Sequence, residues 1–531
     1  MSNTYNIYKV KYSKFDQLKE KLISVGLKEQ KTNRTEKYSM TFYFSENTQG
    51  NKIWWWDTYR EFFNDNVPEP RNIFQYGILI CQNNANQEKL YAISLGKSHF
   101  YLSKFIQPDF GIDLATRIAE ERTMLLKKSR YFFGTKRQDI SSYQNFQPGN
   151  YEPGESVDHL KLKASEKEVW GNRNIIFADS IQMDVDKKPN YLVDILDRID
   201  ASIAQKEVIN LPKLEPVKDD LAKELDRILL DSIKDMNVNV KIEEFYVYGV
   251  AICFSFHDYS YRLSYKKSNA EKLYSKDINN QILASDIMEF ISQHQDIDDV
   301  NSIRIQFRND DAGRFTKSLK EVIDFPVDYD GYHYFLKNGE WYKFNQTFMD
   351  YLKKSLDSIE TNHREDLNEP DYLAWKDDKE NKIAAGEQFE NKLTYREAYF
   401  NEKQCNDYGY DILDRKLSYI PAVEKGKPKY RVEMADLFRD GEIISVKISE
   451  ETHQLIYNIE QSKDAIQLIK KRAVDFNEKL TTASLWFILE RDIGKITDIN
   501  SIQFLMAIES WQKLVRNFGL EPKIYISKHR K

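Results

Sequence analysis

Apolar and polar residues alternate along YNIYKVK (5–11), and this period of two predicts a strand with one buried face. The period then changes: KFDQLKEKLISVG (14–26) spaces its leucines and isoleucine at helical intervals and stops at Gly26, which predicts an amphipathic helix. Strands are predicted at 39–45, 75–81, 89–95 and 99–105 (HFYLSKF), with helices near 111–121 and 189–206. Between them, 139–160 contains QPGNYEPGES, and its density of turn residues predicts a long exposed loop.

A second pattern begins after VINLPKLEPVKDD (208–220), whose two prolines mark a linker or an interdomain strand. A helix over 219–236 leads into aromatic strands, and YHYFLKNGEWYKFN (332–345) is a hairpin about an Asn-Gly turn. Charged residues crowd 361–383, which reads as another linker with a transient helix. The final stretch predicts a helix at 388–405, strands at 410–420, 430–438 and 442–448, a helix at 450–472, a strand at 484–490, a helix at 501–518 and a last strand, PKIYIS.

These patterns predict an α+β multidomain chain ending in an α/β module of αβββαβαβ order. The units expected are 1–207, 208–360, a charged linker over 361–387, and 388–531. A length of 531 residues suits several cores rather than one. The net charge of −6 excludes a globally basic nucleic-acid binder, so any such contact needs a local patch. Cys81, Cys253 and Cys405 are far apart, which argues against a disulfide framework and for a reducing compartment. With no signal-like apolar stretch at the start and no run long enough to span a bilayer, the expectation is a cytoplasmic protein without membrane contact. A homo-oligomer stays open.

The chemistry concentrates in YRVEMADLFRDGEIISVKIS. A two-residue Asp440-Gly441 turn pairs Arg439 with Glu442, Phe438 with Ile443, Leu437 with Ile444 and Asp436 with Ser445. Side-chain alternation then puts Ala435, Leu437, Ile444, Val446 and Ile448 on one face and Asp436, Ser445 and Lys447 on the other. A carboxylate and a lysine diagonal on a hairpin are ordinarily a surface ion pair worth about 0–1 kcal/mol. The same residues in this element order are similar to the PD-(D/E)XK nuclease fold. That resemblance implies a restriction-endonuclease-like core in which Asp436, Asp414 and Glu397 hold Mg²⁺ and Lys447 supports the attack on a phosphodiester. Where the motif has an acid, this chain has Ser445, so an acid from the preceding helix or first strand must fill the gap or metal binding is lost.

A second candidate is TMLLKKSRYFFGTKRQ (123–138), where Lys127, Lys128, Arg130, Lys136 and Arg137 interleave with Tyr131 and two phenylalanines. Cations suit phosphates and aromatic faces suit bases, so this is a candidate nucleic-acid patch. The alternative is a helix end followed by a core strand. Gly-Lys-Ser at 96–98 lacks the first glycine of a phosphate loop, since Tyr91 stands there. No histidine pair has metal-ligand spacing.

The chain also resembles a family of sporadically distributed bacterial proteins associated with mobile elements and suspected of antiphage defence. The carriers are the YNIYKVK opening, GKSHFYL and FGIDLATRIA within 96–119, REAYFN (396–401), LDRKL (413–417), the VEMADLF…EIISVK hairpin and HQLIYNIEQSKDAIQL. In that family a histidine often takes the place of Ser445, again not an acid. The resemblance implies a defence-related role and no specific reaction; nucleic acid is the expected partner, with a phage protein as a further candidate trigger. It leaves two functions open: a Mg²⁺-dependent nuclease, or a non-catalytic sensor on a degenerate nuclease fold.

Overall fold

The alternating opening segment forms strand Asn3–Lys9, antiparallel to Ile181–Val185 on one side and Leu90–Leu95 on the other. The computed structural model describes residues 3–531 except 47–49, 54, 65, 74, 132–136, 218, 236–240, 243–259, 267–272, 279–281, 283, 295, 310–312, 331, 338, 390–391, 414–416, 421–429, 434, 472–475, 477 and 500. From Leu90–Leu95 the sheet continues through Gly77–Asn83 and Tyr38–Ser45 to Leu27–Arg34. In the other direction it runs through Ile175–Phe177 and Glu155–Ala164 to Leu126–Tyr131 and Arg137–Ser142. Alternation lets both faces be covered. Helices Phe110–Ile118 and Val193–Ile203 pack against Ile7, Met40 and Ile93, while Leu18 and Leu22 of helix Phe15–Ser24 pack against Tyr8, Ile78 and Ile80. Gly111 permits the closest approach, since a Cβ there would lie 2.3 Å from the Ser180 carbonyl oxygen.

Two expectations fail in this region. The loop predicted over 139–160 contains most of strand Arg137–Ser142 and the first half of Glu155–Ala164. In the latter, Val157, Leu160, Leu162 and Ala164 are buried behind a turn-rich entrance that masked their alternation. The strand predicted at 99–105 is a 3-10 helix, Gly96–Tyr101. Gly96, at φ +65°, turns the chain, and the Ser98 hydroxyl accepts from Leu95 N–H while donating to Gly77 O.

The middle of the chain forms two antiparallel sheets sharing a core with helices Asp219–Lys234 and Ala284–Ser292. Leu214–Pro216 pairs with Glu340–Phe344, so the proline-bearing 208–220 segment supplies a strand. The predicted hairpin closes between Lys337 and Glu340, with Gly339 at φ +79°.

In the C-terminal module we label β1 (Glu360–His363), α1 (Glu369–Ala384), α2 (Arg396–Tyr408), β2 (Asp411–Ile412), β3 (Leu437–Arg439), β4 (Glu442–Ile448), α3 (Thr452–Lys470), β5 (Thr482–Leu489), α4 (Ile502–Asn517) and β6 (Glu521–Arg530). The sheet order is β1-β6-β5-β4-β3-β2; β4, β5, β6 and β1 are parallel, and β3 is antiparallel to both β4 and β2. On one face, residues of α1 and α2 (Tyr372, Tyr399, Phe400) pack on Ile444, Val446, Trp486 and Tyr525. The other face carries α3 and α4, with Leu455, Ile459 and Trp511 over Ile443, Leu485 and Phe487. The 361–387 segment is therefore structural rather than a linker, because it contains most of β1 and all of α1. Among the described residues, no helix is long and apolar enough to cross a membrane.

Candidate functional site

The hairpin register agrees with the turn-based expectation: Arg439 pairs with Glu442, Phe438 with Ile443 and Leu437 with Ile444. There the ladder ends. Asp436 does not pair with Ser445; instead its N–H donates to Ile444 O at 3.0 Å. Strand β3 is too short to cover the rest of β4, so the Val446 and Ile448 N–H groups on that edge need other acceptors. Carboxylates supply them. Asp436 Oδ2 accepts from Val446 N–H at 2.7 Å, and Glu397 Oε1 accepts from Ile448 N–H at 3.2 Å.

Between those two positions, Lys447 Nζ lies 2.9 Å from Glu397 Oε1, with the lysine and glutamate side chains 23% and 25% exposed. Glu397, Asp436 and Lys447 thus converge on three consecutive residues of β4. The two capped N–H groups are roughly 6–7 Å apart, given the rise per residue of a strand. Asp414, the fourth candidate, lies outside the described residues.

Ser445 is 6% exposed, and it occupies the face that carries Ile443 beneath α3. From α3, Asn458 Nδ2 donates to Val446 O at 3.1 Å, so that face is roofed rather than open. The polar face predicted for the hairpin is thus covered by this helix at Ser445.

Hard oxygen donors are the right chemistry for Mg²⁺, which prefers octahedral coordination by free carboxylates and water. Here Asp436 Oδ2 and Glu397 Oε1 already accept strand N–H groups, and Glu397 also holds Lys447. Among the described residues, no three His, Cys, Asp or Glu side chains come together at metal-holding spacing. As arranged, the described carboxylates are engaged by strand N–H groups and Lys447 instead of being gathered about an ion.

Sequence reading missed a neighbouring cluster. Glu369, at the start of α1, is gripped by Arg396 at 2.9 and 3.1 Å through Nε and shares a 2.6 Å hydrogen bond with His529 Nε2. Arg396, aided by His529, holds the Glu369 carboxyl down at about 2. Because Arg396 precedes Glu397 on α2, the grip also fixes the helix end that carries Glu397. No local signal joins positions 369, 396 and 529.

The basic stretch is placed differently from expectation. Lys127, Lys128, Arg130 and Tyr131 lie on strand Leu126–Tyr131, where Lys127 is 4% exposed and Arg130 and Tyr131 are also buried. Lys127 Nζ sits 2.7 Å from the buried Glu155, and Lys128 is 4.0 Å from Asp158. Lys127, Lys128 and Tyr131 meet acids of the adjoining strand Glu155–Ala164 and Arg130 is buried, so these four residues do not present a patch. Lys136 is outside the described residues, and Arg137 is placed by its backbone in the adjoining strand.

Residues 5–499 match a family described as one of unknown function, DUF6119. No curated protein and no solved structure matches the chain.

Proposed function

The chain belongs to this family of unknown function, and we propose that it is a cytoplasmic antiphage-defence protein that senses nucleic acid without cutting it. In this reading the C-terminal module is a degenerate nuclease fold. Its sheet order and the approach of Glu397, Asp436 and Lys447 to one strand end resemble the PD-(D/E)XK arrangement. One observation carries the reading: Glu397 and Asp436 act as acceptors for the uncovered edge of β4, the work a longer β3 would otherwise do.

The convergence itself favours a second reading, Mg²⁺-dependent phosphodiester cleavage. Incubating the purified protein with DNA and RNA plus Mg²⁺ or Mn²⁺, beside an Asp436→Asn/Lys447→Ala variant, separates the two. The expected result is salt-sensitive binding with no cleavage by either protein. Cleavage by the unmodified chain that the variant loses would replace sensing with catalysis.

A further inference from the structure

Three parts of the chain meet at α4, whose Glu509, Gln512 and Lys513 share one helical face. The Gln512 amide donates to Ser355 Oγ of helix Gln346–Leu356 at 2.8 Å. Lys513 Nζ reaches the N-terminal half, 3.2 Å from Glu152 and 3.4 Å from Pro153 O, with the centre of the Tyr131 ring 5.5 Å away. Close by, the Tyr351 hydroxyl of helix Gln346–Leu356 donates to Gly149 O at 2.7 Å. The turn-rich 149–153 segment is therefore held by two helices distant in sequence.

The two acids within reach of Lys513 differ in their surroundings. Glu152 is 56% exposed and Glu509 is 1% exposed, with Lys513 between them at 32%. Glu509 accepts from the Gln512 amide, but its Oε1 has no hydrogen-bond partner and stands 3.8 Å from Lys513 Nζ. A carboxylate buried that way is poorly solvated, whereas a carboxylic acid is buried at far lower cost. Burial accordingly pushes the Glu509 carboxyl up, against the opposing pull of Ser355, Gln512, Lys513 and Arg516. Those groups face it from α4 and helix Gln346–Leu356, and Glu152 and Tyr131 face it across Lys513.

One ammonium thus stands between two carboxyls. With a proton on Glu509, the charge of Lys513 is left to Glu152, and α4 stays tied to the N-terminal half. An ionised Glu509 would compete from the interior, where a pair is screened less than at the surface, and draw Lys513 back along its own helix at i, i+4.

We propose that the proton on Glu509 is a latch: it leaves Lys513 to Glu152 and so fastens the C-terminal module to the 149–153 turn. A carboxyl held above its ordinary 4.5 in the folded chain keeps this contribution in full below pH 4.5 and gives it up as pH rises through the folded value.

Amide hydrogen exchange of the full chain, read on the peptide spanning 147–157 at roughly pH 5–9, tests the latch. Glu509→Gln measured at each pH cancels the ordinary rise of exchange with pH. The unmodified chain should match this variant at the acid end and exchange ~2–5-fold faster at the alkaline end, the range expected when a half-exposed pair is lost. Lys513→Gln should exchange at the faster rate at every pH, and adding Glu509→Gln to it should change nothing further. A constant ratio between the unmodified chain and Glu509→Gln overturns the latch. So does a pH-dependent ratio that survives in the Lys513→Gln background, since Glu509 would then act without the lysine. Peptides from β5 should exchange alike in every variant; a change there as large as at 147–157 assigns Glu509 to the stability of the whole fold and overturns the latch as well.

Discussion

Lys127 of the N-terminal sheet pairs with Glu155 of the adjoining strand, and Lys447 near the end of β4 pairs with Glu397 of α2. Their distances are alike, 2.7 and 2.9 Å. Their surroundings are not. The first pair is 4% and 0% exposed and adds a Tyr131 hydroxyl at 3.4 Å to Glu155, whereas about a quarter of each side chain in the second meets solvent. A buried pair is costly to desolvate and cannot release its lysine to a ligand without stranding a carboxylate in the interior. A half-open pair gives up little when broken. The comparison teaches that availability, not residue type, separates a structural cation from one that could meet a phosphate.

Three measurements would break or sharpen that contrast. The largest effect is expected from Lys127→Ala, which leaves Glu155 buried and unpaired and should cost about 3–5 kcal/mol in denaturant unfolding. Replacing both partners, Lys127→Met with Glu155→Leu, should recover most of that loss; a double variant as unstable as the single would break the buried-pair account. An intermediate loss of about 1–2 kcal/mol, after allowing for solvent screening, is expected from Glu369→Gln. The sign in pH follows from a carboxyl held at about 2 in the folded chain against an ordinary 4.5. Its stabilisation is fully present above pH 4.5 and is lost as pH falls through about 2, so the gap between the unmodified chain and Glu369→Gln should close over that window. A gap that stays constant with pH would show that Arg396 and His529 are packing partners only. The smallest change, about 0–1 kcal/mol, is expected for Lys447→Ala; a loss as large as that of Lys127→Ala would erase the distinction.

The local features were the legible ones. The Asp440-Gly441 turn dictates the register of β3 and β4, and the spacing of apolar residues located α3, β5 and α4 to within a few residues. What escaped depended on partners distant in sequence. Nothing near Lys127 announces that Glu155, which lies opposite Tyr131, will reach its ammonium, and β1 becomes a strand by pairing with β6. Helix α1 buries Tyr372 and Lys379 among mostly charged neighbours, a stripe too thin to distinguish from a solvated segment. The site was legible in its convergence and not in its occupation. Sequence brought Glu397, Asp436 and Lys447 into one group, but that β3 would stop at Leu437 and hand the β4 edge to carboxylates is a matter of strand length.

The interior position of β6 has a kinetic consequence. Strand β1 pairs with β6 roughly 160 residues later in the chain, Thr361 with Ile524. During synthesis at ~5–20 residues per second, β1 and α1 must therefore wait on the order of ten to thirty seconds for their neighbour. Until β6 arrives, β5 has a bare parallel edge and Trp486 lacks the Tyr525 ring that later packs against it at 5.3 Å. The module is thus completed by its last strand rather than nucleated by its first, and the newly made chain passes through an interval in which its most apolar strand stands open to other chains.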